Sequence, residues 1–214
     1  MSAVAEGQLD PQVIRDFYQQ VSQRERGRWT SNEMLDFDLR LLRGLAPNPV
    51  SILDLGSGHG ELSRPLAGDH ADLVAVDFAP AYGSSFGGAR HTFVPANLED
   101  FESARNFDLI LLFGVVTYTD IEQEARLYRR IVRWLDGDGL LVVKNQCALG
   151  TELVKTGYSE ALDAEYSARY PTAEEQHQML ASVFGSVEEQ KYPDPLNTWA
   201  DTVHIAFICR DPLT

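Results

Sequence analysis

The stretch Ile52-Leu53-Asp54-Leu55-Gly56-Ser57-Gly58-His59-Gly60 decides how this chain reads. A short apolar strand from Val50 to Leu55 runs into three glycines at alternate positions. Glycine tolerates positive φ and lets a ligand come close to the main chain. In open α/β sheets, ligands bind at the carboxyl ends of the strands, where this turn would lie. The spacing argues against a dinucleotide. A pyrophosphate turn runs G-x-G-x-x-G/A and sets its phosphates at a helix N-terminus. Here the third glycine falls one residue early, and Glu61 stands where a small residue is wanted. Asp54 lies two residues ahead of the turn. Both acids oppose phosphate and suit a ligand with a cationic end.

Outward from this turn the pattern alternates between strand and helix. Asp72–Asp77 reads as a second strand, residues 92–96 as a weak third, Phe107–Phe113 as a buried fourth and Leu140–Lys144 as a fifth. Ile121–Leu135 is an amphipathic helix, residues 172–184 form another, and late strands span Ser186–Tyr192 and Val203–Arg210. Near-continuous apolar strands separated by helices predict an α/β fold, a mostly parallel sheet covered on both faces. Upstream, Val13, Ile14, Phe17 and Val21, then Leu35, Leu39 and Leu42, have helical spacing, with Ser31 as a candidate cap for the second helix. The expected organisation is an N-terminal helical cap over 1–48 and a ligand-binding domain over 49–214. A polar, tyrosine-rich insertion at about 145–171 has the length of a lid or binding loop.

Composition narrows the partners. The chain has 214 residues, 44% of them hydrophobic and 23% charged, which fits one globular domain. Thirty-two acids against eighteen bases give a net charge of -14, a field that repels nucleic acid and anionic membranes. The basic set Arg126, Arg129, Arg130 and Arg133 reads as a solvated helix face, with Glu122 one turn before Arg126. No apolar run reaches the ~18 residues of a membrane helix. The start MSAVAEGQLDPQ lacks the features of a signal peptide, and Cys147 and Cys209 lack metal-ligand spacing. These features predict a cytoplasmic protein, a monomer or homodimer, whose partner is a small-molecule substrate and neither nucleic acid nor membrane.

S-adenosylmethionine carries an ammonium group and a sulfonium but no phosphate, as the two acids demand. At this point ILDLGSGHG resembles the first motif of the class I S-adenosylmethionine-dependent methyltransferases, a strand ending D-h-G-x-G-x-G. The similarity extends over about residues 50–145. It implies that Asp54, Gly56, Ser57, Gly58 and Gly60 form the cofactor turn and that Asp77, followed by Phe78, binds the ribose hydroxyls. In P95-A96-N97-L98-E99-D100 it places Asn97 at the adenine amino group and the Leu98 N–H at the ring nitrogen. Phe113 and Gly114, ending the fourth strand, would line the methionine portion. Asp136-Gly137-Asp138-Gly139 departs slightly from the family's L-x-P-G-G. The stretch after Asp77, with five glycines and serines between 83 and 88, departs further and suggests a loop where the family carries a helix. The resemblance implies a Rossmann-like seven-stranded sheet of order 3-2-1-4-5-7-6, its last strand antiparallel.

Methyl transfer from a sulfonium is an in-line displacement. The protein must align acceptor, methyl and sulfur, exclude water and, where required, remove a proton. Tyr118 sits where many family members face their substrate with an aromatic, or it packs at a helix start. Asn145 and Gln146 put amides at the mouth of the sheet, for substrate or for loop backbone. His177 is the candidate general base, or a surface histidine. Tyr18 and Arg28 of the N-terminal region are candidates to close the cofactor, Arg28 through a charge-assisted pair with its carboxylate. No metal is expected. The sequence therefore predicts methyl transfer to a small molecule, with an oxygen of a sugar or natural-product-like metabolite as acceptor. The alternatives are a small amine, a cyclase-like or regulatory protein on the same fold, and a disfavoured NAD-dependent oxidoreductase.

Overall fold

β1 (Ser51–Leu55) has four buried residues in succession, as expected of a strand covered on both faces. In the computed structural model, which describes residues 9–23, 32–159, 164–197 and 199–213, it lies inside a seven-stranded sheet. β2 (Asp72–Asp77) and β4 (Phe107–Phe113) flank it in parallel, and β3 (His91–Pro95) adds outside β2. β5 (Leu135–Ala148) runs parallel to β4, β9 (Thr202–Pro212) runs antiparallel to β5, and β8 (Phe184–Lys191) closes the far edge. The order is 3-2-1-4-5-9-8. This is the expected topology, once the hairpin β6 (Leu153–Ser159) and β7 (Ala164–Tyr170), which forms its own two-stranded sheet, is set aside.

Alternate strand residues face opposite ways, and two cores result. Leu53, Leu55, Ile110, Leu112 and Val143 pack with Tyr128, Ile131 and Trp134 of α4 (Ile121–Trp134) and with Leu180 of α5 (Ala173–Ala181). Ile52, Leu109, Leu111 and Val142 pack with Met34 and Leu42 of α2 (Asn32–Leu45) and with Leu66 of α3 (Ser63–Ala67). Capping boxes start α4, from Asp120 and Gln123, and α5, from Thr172 and Glu175.

Three expectations need correction. The fifth strand is far longer than 140–144, because Asp136–Gly139 joins it instead of forming a separate turn; a register shift between Phe107 and Leu109 accommodates the extra length. The insertion at 145–171 is no irregular loop. β5 continues through Ala148, and the remainder folds into the β6–β7 hairpin. The glycine- and serine-rich stretch after Asp77 contains one short 3-10 segment, Pro80–Ser85.

The two N-terminal helices have different partners. α2 packs on the main sheet, whereas Phe17 and Val21 of α1 (Pro11–Ser22) bury against Ala164 of the hairpin. The Asp10 N–H, at the start of α1, donates to Ser167 Oγ at 3.1 Å. Among the described residues, no helix is long and apolar enough to cross a membrane.

Candidate active site

The strand ends, α1, α2, the hairpin and the β8–β9 connection enclose a cavity of about 1670 Å³. Ligand pockets typically measure ~300–1,000 Å³, so this one has room for two molecules side by side. One half is built on the glycine turn. Gly56 and Gly58 have φ of +76° and +52°, a region that L side chains avoid. A Cβ on Gly56 would lie 2.3 Å from Val115 Cγ2, whereas one on Gly58 would meet nothing within 4 Å. Gly56 thus packs against the β4 end, and Gly58 presents bare main chain at the cavity wall.

Asp77 holds this turn in place. Its buried carboxylate accepts the Gly58 N–H at 3.0 Å through Oδ2 and the Ala79 N–H at 3.1 Å through Oδ1. Asp77 also lines the cavity. Ser57 lines the cavity, and its Oγ has no partner among the described residues. Asp54 accepts from Ser63 Oγ at 2.5 Å. Burial pushes its carboxyl up to about 7; the Ser63 hydrogen bond opposes this and the nearby Asp77 charge adds to it. The sign of the linkage follows. A carboxyl whose pKa lies higher folded than unfolded contributes stability below the unfolded value and loses it as pH rises through the folded one. Thermal melts should show stability falling between about pH 4 and 7, and Asp54→Asn should remove that part of the decline.

Phe78, Asn97, Leu98, Phe113 and Gly114 also line the cavity. The Asn97 amide donates to Asp100 Oδ2 at 3.1 Å, leaving its carbonyl for a ligand donor. Tyr18 and Tyr118 meet edge to face, with centroids 4.9 Å apart, and Tyr18 reaches Phe78 at 6.0 Å. Gln146 lines the cavity while donating to Thr202 Oγ1 at 2.7 Å. Asn145 lines it too, but its amide is taken up by Thr117 and Gln176. His177 is not brought to the cavity: it lies on the outer side of α5, with Nδ1 2.8 Å from Glu189 Oε1. Arg28 and Ser31 lie outside the described residues.

The second half of the cavity contains residues that the sequence did not single out. Arg169 of β7 is buried, and its guanidinium contacts Glu124, Glu152 at 2.8 Å and the Thr119 carbonyl at 3.0 Å. Gln176 and Tyr128 donate to the same Glu124 carboxylate. Lys144, at the β5 end, pairs with Asp38 of α2 at 2.7 Å, and the Tyr192 hydroxyl donates to that acid. Asp38 had a signal in the sequence, since it falls on the same helical face as Met34 and Leu42. Trp199, from the β8–β9 connection, faces Tyr170 at 6.0 Å.

A mostly parallel sheet of this order, with a glycine turn after β1 and an acid ending β2, defines the class I methyltransferase fold. Residues 52–139 match the family model for a methyltransferase domain. A ubiquinone biosynthesis O-methyltransferase of Azorhizobium caulinodans is 30% identical over 139 residues, 62% of this chain. The chain spans about half of that relative's length, 51%. Among solved structures, Burkholderia thailandensis 1,6-didemethyltoxoflavin-N1-methyltransferase, with bound 1,6-didemethyltoxoflavin and S-adenosylhomocysteine, superposes with a TM-score of 0.73 at 21% identity. That match covers 98% of this chain and 94% of the other. The N-methyltransferase NodS of Bradyrhizobium japonicum WM9, in complex with S-adenosylhomocysteine, gives 0.64 at 17% identity, over 91% of this chain and 98% of its own.

Proposed function

We propose that this chain binds S-adenosylmethionine in the glycine-turn half of the cavity and methylates a small molecule held in the other half. The observation that carries this reading is Asp77, a buried carboxylate that ends β2, lines the cavity and ties down the bare Gly58 main chain. The remaining lining suits the same ligand. Asp54 favours an ammonium over a phosphate, Ser57 Oγ offers an unused hydroxyl, and the Asn97 carbonyl can accept the adenine amino group. When bound, the cofactor supplies an electrophilic methyl group on sulfur.

The chain's own part is positioning and exclusion of water. Phe113 and Gly114, at the end of β4, border both halves of the cavity, and Tyr18 and Tyr118 form an aromatic wall beside them. The acceptor is an oxygen in this reading. Two acids of its lining, Asp38 and Glu152, are each paired with a cation, Lys144 and Arg169 respectively, and so hold no ammonium acceptor by themselves. The O-methyltransferase of A. caulinodans supports the same choice.

Calorimetry with S-adenosylhomocysteine tests the cofactor assignment. The unaltered chain should bind, and Asp77→Ala should weaken binding by ~1–3 kcal/mol, the range for losing a charged hydrogen-bond acceptor. Equal affinity in the two proteins would remove the assigned site. Transfer of labelled methyl to amines but not to hydroxylated acceptors would overturn the choice of oxygen.

A further inference from the structure

The arginines of α4 do not form one solvated face. Arg126 and Arg133 are more than half exposed and, among the described residues, make only surface pairs, with Glu122, Glu99 and Glu102. Arg130 differs: its side chain is 15% exposed and reaches into the loop that follows β3. Its Nη1 donates to the Leu98 carbonyl at 2.8 Å and the Glu99 carbonyl at 2.9 Å, and its Nη2 donates to the Phe101 carbonyl. Its Nε lies 3.3 Å from Glu102 Oε1 and pairs by charge without an aligned hydrogen bond. The guanidinium carbon stands 5.1 Å from the ring centre of Trp134, within cation–π range.

One guanidinium therefore gathers three carbonyls from four consecutive residues. The loop's other anchor is on the sheet, where the Ala96 N–H donates to the Asp77 carbonyl at 3.0 Å. Between these anchors lie Asn97 and Leu98, both on the cavity wall. Among the described residues, no acceptor meets the Leu98 N–H. A planar, always-charged fork with several donors can fix a loop this way; a lysine ammonium is a point charge and cannot span the same set.

We infer that Arg130 is a positioning residue for cofactor recognition: by holding the Leu98–Phe101 main chain against α4, it aims the Leu98 N–H and the Asn97 carbonyl at the edge of the adenine ring. This rests on the cofactor reading above. It sets purine selectivity, because the 6-amino purine edge offers an acceptor at N1 and a donor at N6. The 6-oxo edge reverses both, and a site built to hydrogen-bond one edge rejects the other.

The test compares S-adenosylhomocysteine with S-inosylhomocysteine by calorimetry. The unaltered chain should prefer the adenine compound at least about tenfold. Arg130→Met should weaken S-adenosylhomocysteine about tenfold and S-inosylhomocysteine less than about twofold, so that the preference collapses. Arg130→Lys, which keeps the Glu102 and Trp134 contacts, should fall between, and the surface variant Arg133→Met should match the unaltered chain. Unchanged affinities in both Arg130 variants would overturn the inference. So would equal weakening of both ligands, which would mark Arg130 as merely structural. Failure of the unaltered chain to bind S-adenosylhomocysteine would overturn the cofactor reading and this inference with it, a result distinct from either of the others.

Discussion

Gly58→Val should abolish cofactor binding, by at least about a hundredfold or ~2.7 kcal/mol, while the protein stays folded. The residue sits at φ +52°, and a Cβ there would meet nothing within 4 Å. The free protein then bears only the left-handed backbone penalty of ~1–2 kcal/mol. The added methyls project from main chain that Asp77 fixes at the cavity wall, and they occupy the space through which a ligand must approach. Calorimetry alongside a thermal melt separates the two effects. Retained affinity in a folded Gly58→Val protein would mean that the ligand lies elsewhere. Gly56 would give no such separation, because a Cβ at that position collides with Val115 and disturbs the turn itself.

Arg169→Met should cost ~3–5 kcal/mol of stability, the range for removing one partner of a buried ion pair. Arg169 and Glu124 are both buried. Burial already pushes the Glu124 carboxyl above its usual range, against the pull of Arg169 and of the Gln176 and Tyr128 donors. With the guanidinium gone, that carboxylate has no counter-charge and its pKa rises further. A carboxyl with a raised folded pKa loses stability as pH rises, so the defect should be smallest below about pH 4.5 and grow toward neutrality. Glu124→Gln in the same background should recover part of the loss, because a neutral amide needs no cation. Denaturant melts across pH check both points, and a defect independent of pH would refute the electrostatic account.

What the sequence revealed, and what it hid, follows from the range of the forces involved. Leu109 and Leu111 sit in an unbroken apolar run and Leu53 and Leu55 in a nearly continuous one, and a strand buried on both faces leaves that mark whatever its neighbours are. The glycine turn and Asp77 were legible because both are local requirements of one strand end. The hairpin was not. LVKTGYS and AEYSARY hold few apolar residues, and the pair is fixed by Phe17 and Val21 from a distant helix. Arg130 and Arg126 are indistinguishable by spacing, and only the loop after β3 separates them. Of the two readings of His177, the structure shows the surface histidine, and its position on α5 alone said nothing about the Glu189 carboxylate on β8.

The attachment of α1 to the β6–β7 hairpin has a practical consequence. The turn, Asp77 and the loop after β3 all lie between residues 51 and 101, whereas Tyr18, Tyr166 and Arg169 come from the helix and the hairpin. Because those two pieces brace each other through Phe17, Val21 and Ala164, an engineer could exchange them together, as a cassette, and reshape the wall that Tyr18, Tyr166 and Arg169 give the cavity while leaving the glycine turn, Asp77 and the loop after β3 in sequence as they are. Replacing either one alone would leave its partner's apolar side bare to water.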